Sequence, residues 1–193
     1  MLKIRNIKRC EIEQVMRVEN ETWEEGTRAS IDKFISRFDI FPIGIFGVYE
    51  NNKLIGVSTS EIIKSLDISS WEQATDNGYI VASHDSNGKH LYVVSVGVSK
   101  YYRGKGAGSL LINAQKKLIE QLNLESLVLG ARVPGFSKSK LNIEEYVKID
   151  SEIKFYEKNG LSVSEIKSNY MEDDKESKNY GVLMQYKIRK LKD

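Results

Sequence analysis

The stretch Val96-Gly97-Val98-Ser99-Lys100-Tyr101-Tyr102-Arg103-Gly104-Lys105-Gly106-Ala107-Gly108-Ser109-Leu110-Leu111 decides how this chain is read. It joins the end of an apolar run, residues 91–98, to apolar residues at helical spacing: Leu110, Leu111, Ala114, Leu118, Ile119 and Leu122. A nearly continuous apolar run of that length reads as a strand buried on both faces. Leu127-Val128-Leu129 reads as a further buried strand. Strand, glycine-rich turn, helix and strand make a βαβ unit, whose two strands run parallel.

A turn between a strand and a helix leaves main-chain N–H groups without partners, and the helix dipole adds partial positive charge there. Together they suit a phosphate or diphosphate. Gly104, Gly106 and Gly108 let the backbone approach an anion closely, and Arg103 and Lys105 add mobile positive charge. The pattern Arg-x-x-Gly-x-Gly alone is weak, because composition places it in roughly one chain in twenty of this length. Its position between a buried strand and an amphipathic helix sharpens it. No Gly-Lys-Ser/Thr ending is present for a Walker loop, and the alternating glycines do not follow Gly-x-Gly-x-x-Gly. The physics gives a phosphorylated ligand without its identity.

Outward from this unit, Leu2, Ile4 and Ile7 suggest a first strand, and Ile12, Val15, Met16 and Val18 a helix reaching about residue 24. Ser30 caps a second helix carrying Ile31, Phe34, Ile35 and Phe38, which Pro42 and Gly44 end. Residues 45–49 and 54–57 form a hairpin around Asn51-Asn52. Residues 64–90 read as an excursion with a short helix near 70–76, and residues 132–150 as irregular with a short helix from Ile143 to Val147. Ile153, Phe155 and Tyr156 lie in a late helix that Asn159-Gly160 ends. Strands near 161–167 and 180–189 flank a charged loop, 172–178, which reads as a solvated hairpin tip.

The 29 basic and 27 acidic residues of the 193 leave a formal charge of +2. That balance gives no pull toward nucleic acid or anionic lipid. Cys10 is the only cysteine, so no intrachain disulfide forms, and Cys10, His84 and His90 have no zinc spacing. No apolar run approaches the roughly 20 residues of a membrane span. The expectation is a cytoplasmic protein without nucleic-acid, membrane or metal partners, a homodimer remaining open.

With these elements in place, the chain resembles the GNAT superfamily of N-acetyltransferases. The carrying residues are 96–111 and the later Phe155-Tyr156-Glu157-Lys158-Asn159-Gly160. A closer likeness, carried by Gly130-Ala131-Arg132-Val133-Pro134-Gly135, Glu144-Glu145-Tyr146-Val147 and Tyr180-Gly181-Val182-Leu183-Met184, is to a branch sometimes fused to a carbon–nitrogen hydrolase. The resemblance implies one α/β domain over residues 1–193, with a mixed sheet of about seven strands flanked by helices. It also implies a parallel strand pair splayed at the cofactor site. Acetyl-CoA would be the co-substrate and an amine, on a small molecule or a peptide, the acceptor.

By that resemblance, the amides of Arg103, Gly104, Lys105, Gly106, Ala107 and Gly108 hold the diphosphate of coenzyme A, and the strand edge at Val96 and Val98 the pantetheine arm. Tyr156 matches the tyrosine that returns a proton to the departing thiolate. Tyrosine and thiol pKa values, about 10 and 8.5, are close enough for that exchange. Some relatives carry a glutamate base in the strand before the loop, where this chain has Tyr92. The base is left unassigned, with Glu24, Glu25, Glu61, His84 and His90 candidates by type alone. Trp23, Trp71 and Tyr79 read as packing residues rather than pocket walls. The rival readings are a non-catalytic acyl-CoA-binding or sensing module and a nucleotide-binding module.

Overall fold

Asn51 and Asn52 take left-handed φ values of 50° and 64°, as a tight hairpin turn requires. They fold β2 (Phe46–Glu50) back onto β3 (Lys53–Ile63), and β1 (Leu2–Asn6) adds antiparallel to the outer side of β2. In the computed structural model, which describes residues 1–188, β4 (His90–Val98) follows β3 antiparallel, and β5 (Ser126–Ala131) lies parallel to β4. β6 (Ser162–Lys167) and β7 (Gly181–Lys187) complete a seven-stranded mixed sheet of order β1-β2-β3-β4-β5-β7-β6. The expected end of the last strand at residue 189 lies outside the described residues.

Side-chain alternation sends the strands' apolar residues to both faces, and helices cover each. On one face α1 (Ile12–Thr22) and α2 (Ile31–Ile40) lay Val15, Val18, Phe34 and Phe38 against Tyr49, Leu54 and Val57. On the other, α4 (Ala107–Gln121) lays Ala107 and Leu111 against Val48 and Ile55. Burying one such side chain fully, as at Leu111, stabilises the fold by about 1.5–3 kcal/mol. Ser30 caps α2 as the sequence indicates, accepting from the Lys33 amide at 3.4 Å.

The excursion at 64–90 holds one short helix, α3 (Trp71–Thr75), and the segment at 132–150 holds α5 (Ile143–Val147). The late helix, α6, runs Ser151–Lys158. Asp150 fixes its start by accepting from the amides of Glu152 at 2.8 Å and Ile153 at 3.1 Å.

Two irregularities in β4 position everything that follows. The parallel ladder runs from His90↔Ser126 to Val93↔Leu129 and stops, although both strands continue, so the sheet splays open beyond Val93. The β3–β4 register also shifts between Thr59 and Ser60, which leaves Val94 as a bulge. The Val94 carbonyl accepts from the Trp71 indole at 3.0 Å.

The charged loop 172–178 is exposed at Glu172, Asp173, Lys175, Glu176 and Lys178, as the sequence reading has it, and departs from that reading at Asp174. Asp174 is buried and accepts from Arg132 Nε at 2.7 Å and Nη2 at 2.6 Å. A run of charges suggests a solvated tip only while its partner is unknown. Here the partner stands just beyond the end of β5, forty-two positions earlier in the chain.

Candidate functional site

The splay opens a cleft with two parts. The outer part runs between the end of β4 and the loop at 103–108, and is lined by Val96, Val98, Arg103, Gly104, Gly106, Ala107, Gly108 and Tyr156 among others. The inner part, about 220 Å³, lies beneath α1, α2 and α3 and is lined by Arg37, Trp71, Val94, Ser95 and Gly130 among others. Trp23, Val96, Arg132, Glu152 and Tyr156 line both. The structure thus brings the sequence-singled loop, the strand edge and Tyr156 to one place.

The loop has the properties an anion site needs. Gly106 is the N-cap of α4 at φ 85°, and no side chain caps the helix. Among the described residues the amides of Arg103, Gly104, Lys105 and Gly106 donate to no acceptor in the chain. A β-carbon on Gly104 or Gly106 would meet nothing within 4 Å, so the space in front of the loop is open. Arg103 folds over the mouth of the cleft, toward the carbonyls of Val98 and Thr22, both at 3.4 Å. Lys105 behaves differently from Arg103: its ammonium turns to Glu50 at 3.2 Å and lies over the Tyr102 ring, and its side chain does not line the cleft.

Tyr156 is 6% exposed, and among the described residues its hydroxyl makes no hydrogen bond within the chain. Burial, with the neighbouring Glu152 charge, pushes its pKa well up, so the phenol keeps its proton. Glu152 stands one helical turn earlier on the same face of α6. Burial first, then the Asp150 charge, pushes its carboxyl up to about 7, against the opposing pull of Arg132 and Arg103. A carboxyl poised there exchanges protons readily at neutral pH. Sequence reasoning missed it because the start of α6 was uncertain; once Asp150 is seen as the cap, the spacing from Tyr156 reveals it.

Of the other candidate bases only Glu24 lines the cleft. His90 Nδ1 lies 2.9 Å from Ser126 Oγ at the start of β4, and His84 Nδ1 accepts from the Ile62 amide at 3.2 Å. Neither lines either part of the cleft. Glu61 is fully buried and accepts from Ser83 Oγ at 2.7 Å, behind the cleft wall. Glu24 and Glu25 are both exposed just beyond the end of α1, and Glu24 lines the outer part of the cleft while Glu25 lines neither part. Tyr92, at the position where some relatives have a glutamate, is fully buried with its hydroxyl against that of Tyr170.

Trp23 and Trp71 correct the sequence reading: both line the inner chamber, while Tyr79 does not. They do so because Trp71 is tied to the Val94 bulge, and because the end of α1 lies across Gly97. Single aromatics in a sequence carry no sign of such ties.

Comparison with known proteins gives a concordant result. The profile of the acetyltransferase (GNAT) family matches residues 11–161. The uncharacterized N-acetyltransferase YkwB of Bacillus subtilis (strain 168) is 35% identical over 202 residues, covering 96% of this chain and 88% of that protein. The probable hydrolase YhcX of the same organism is 30% identical over 195 residues. That match takes in 95% of this chain but 38% of YhcX, a longer protein. Among solved structures, the GphF GNAT-like decarboxylase in complex with isobutyryl-CoA superposes with a TM-score of 0.84 at 19% identity, covering 97% of this chain and 100% of that one.

Proposed function

Because this chain belongs to the acetyltransferase (GNAT) family, whose members are acyl-CoA-dependent acetyltransferases, we propose that it moves an acetyl group from acetyl-CoA directly to a primary amine. One observation carries the reading. Glu152 and Tyr156 stand a turn apart on α6, where the outer channel meets the inner chamber. A proton acceptor poised near neutrality and a protonated phenol face the same junction.

The outer channel fits coenzyme A. Unpaired amides at the start of α4 suit its diphosphate, with Arg103 beside them. The edge of β4 released by the splay at Val96 and Val98 suits a pantetheine arm through main-chain groups. When bound, acetyl-CoA supplies an activated acyl thioester. Glu152 takes a proton from the incoming ammonium, because an amine is nucleophilic only in its free form. The Tyr156 hydroxyl would give its proton to the departing sulfur and regain one from the newly acylated nitrogen, so that Glu152 holds the one proton released overall and passes it to water. Trp23 and Arg132 line the junction with them.

GphF, with the same fold, is described as a decarboxylase, so architecture alone does not choose a reaction. The α6 pair is what favours amine transfer here. The test is release of free thiol from acetyl-CoA in the presence of a panel of amines. Turnover with at least one amine is expected, falling sharply in Tyr156→Phe while coenzyme A affinity is kept. If calorimetry finds no binding of acetyl-CoA or coenzyme A, the reading is lost. If both bind but no thiol is released with any amine, the chain is an acyl-CoA-binding module.

A further inference from the structure

Arg37 is 1% exposed, yet its guanidinium is incompletely satisfied. Nε donates to the Gly78 carbonyl at 2.8 Å, and Nη1 to Thr59 Oγ1 at 3.2 Å and Ser95 Oγ at 3.4 Å. Nη2 has no partner, and the residue lines the inner chamber. A buried cation with an unpaired N–H and no carboxylate in contact is costly, and the cost is relieved when an oxyanion reaches it. Burial pushes the Arg37 pKa down to about 10, which still leaves it charged at neutral pH.

Two buried acids, Glu19 and Glu61, hold its pKa up against burial, but neither makes a hydrogen bond to it among the described residues. Burial pushes Glu61 up to about 8, so it is mostly protonated at pH 7. Glu19, also raised by burial, gives its oxygen to the Ala29 amide at 2.7 Å. Among the described residues Arg37 forms no salt bridge. Lys33, one turn earlier on α2, lines the same chamber with its ammonium 5.9 Å from the Trp71 ring. One acidic side chain of the chamber is also incomplete: Glu72 Oε2 is buried without a partner, while Oε1 accepts from the Glu172 amide at 2.9 Å.

We propose that the inner chamber receives a carboxylate of the small substrate, bound by Nη2 of Arg37 with Lys33 beside it, and that the acceptor is an amino acid or a similar amino-carboxylate. This rests on the acetyltransferase reading and narrows its acceptor. The volume agrees: about 220 Å³ is below the roughly 300 Å³ at which pockets for drug-sized ligands begin. Glu72 Oε2 offers an acceptor to an N–H of the same ligand. A carboxylate at the far end of a longer acyl chain would present the same chemistry from the coenzyme side.

The experiment has a binding arm and a turnover arm. The protein's only two tryptophans, Trp23 and Trp71, both line the chamber, so their fluorescence reports on it. With coenzyme A saturating, acetate and succinate are expected to change the emission saturably and methylammonium chloride is not. Arg37→Lys is expected to weaken the carboxylate response by about tenfold or more, the usual range for a hydrogen bond to a charged group, with coenzyme A affinity kept. In the turnover arm, thiol release from acetyl-CoA compares matched pairs: lysine with cadaverine, histidine with histamine, β-alanine with ethylamine. The carboxylate member is expected to have a kcat/KM about tenfold or more higher in at least one pair. Succinyl-CoA replaces acetyl-CoA in a parallel series, and preference for it would keep the Arg37 site while placing the carboxylate on the acyl chain. Equal turnover within every pair, or faster turnover of the decarboxylated amines, overturns the inference and leaves the acetyltransferase reading standing. Should no amine be acetylated, that reading fails, and the fluorescence response to acetate and succinate alone decides the anion site. Should Arg37→Lys not fold, the paired comparison in the native protein carries the decision.

Discussion

The two halves of the cleft are built on opposite plans. One wall of the outer channel is glycine-rich main chain from one short segment, the end of β4 and the loop at 103–108, while the end of α1, the turn at 132–134 and α6 supply the facing wall. The inner chamber is made of side chains that α1, α2, α3, β4, β5 and α6 bring together from distant positions. A main-chain site needs only a backbone shape, which neighbouring glycines specify. A side-chain site needs the whole fold before its members meet. Substitutions should therefore separate by half: those at the junction alter turnover, and those in the loop alter coenzyme affinity.

The sharpest test is Glu152→Gln. Removing the proton acceptor should lower kcat/KM by about 10²–10⁴-fold, with calorimetric affinity for coenzyme A unchanged. The carboxylate acts only when deprotonated. The native rate should therefore rise with pH up to about 7 and level off above it, and the variant's profile should lose that limb. Equal losses of turnover and coenzyme affinity would break the division between the halves.

Next in size, Tyr156→Phe should lower kcat by about a hundredfold, with the acetyl-CoA Kd within error of native. In the loop, Gly106→Ala forces a β-carbon into the left-handed region at φ 85°, a strain of about 1–2 kcal/mol. Coenzyme affinity should weaken by roughly five- to thirtyfold, with kcat at saturation nearly native. The smallest effect belongs to Lys105→Ala. Its ammonium is engaged by Glu50 and half-exposed, and surface ion pairs of this kind contribute about 0–1 kcal/mol. Coenzyme affinity should change by less than about fivefold. A much larger change would show that Lys105 leaves Glu50 to meet the ligand.

The same contrast explains what the sequence could tell. The βαβ unit, the parallel pair and the loop were legible because each is written locally: an apolar run, alternating glycines, a helical stripe. The expected splay is present, and Tyr156 does face the cleft. Glu152 was hidden by an uncertain helix start, which only the Asp150 cap resolves. Asp174 was hidden in a run of charges, and Arg37 on an amphipathic helix where an arginine normally faces water. Trp23 and Trp71 passed for ordinary core aromatics. Each of these depends on a partner far along the chain, and no local pattern encodes it.

Arg132 stands at the doorway between the halves, and its orientation is set by Asp174 in the connection between β6 and β7. That connection is distant in sequence from the loop at 103–108. Changes in a few hairpin residues there would therefore reshape the doorway while leaving the sequence of the loop at 103–108 untouched. The width of the passage between the two halves is thus governed from a turn that belongs to neither of the strands that open it.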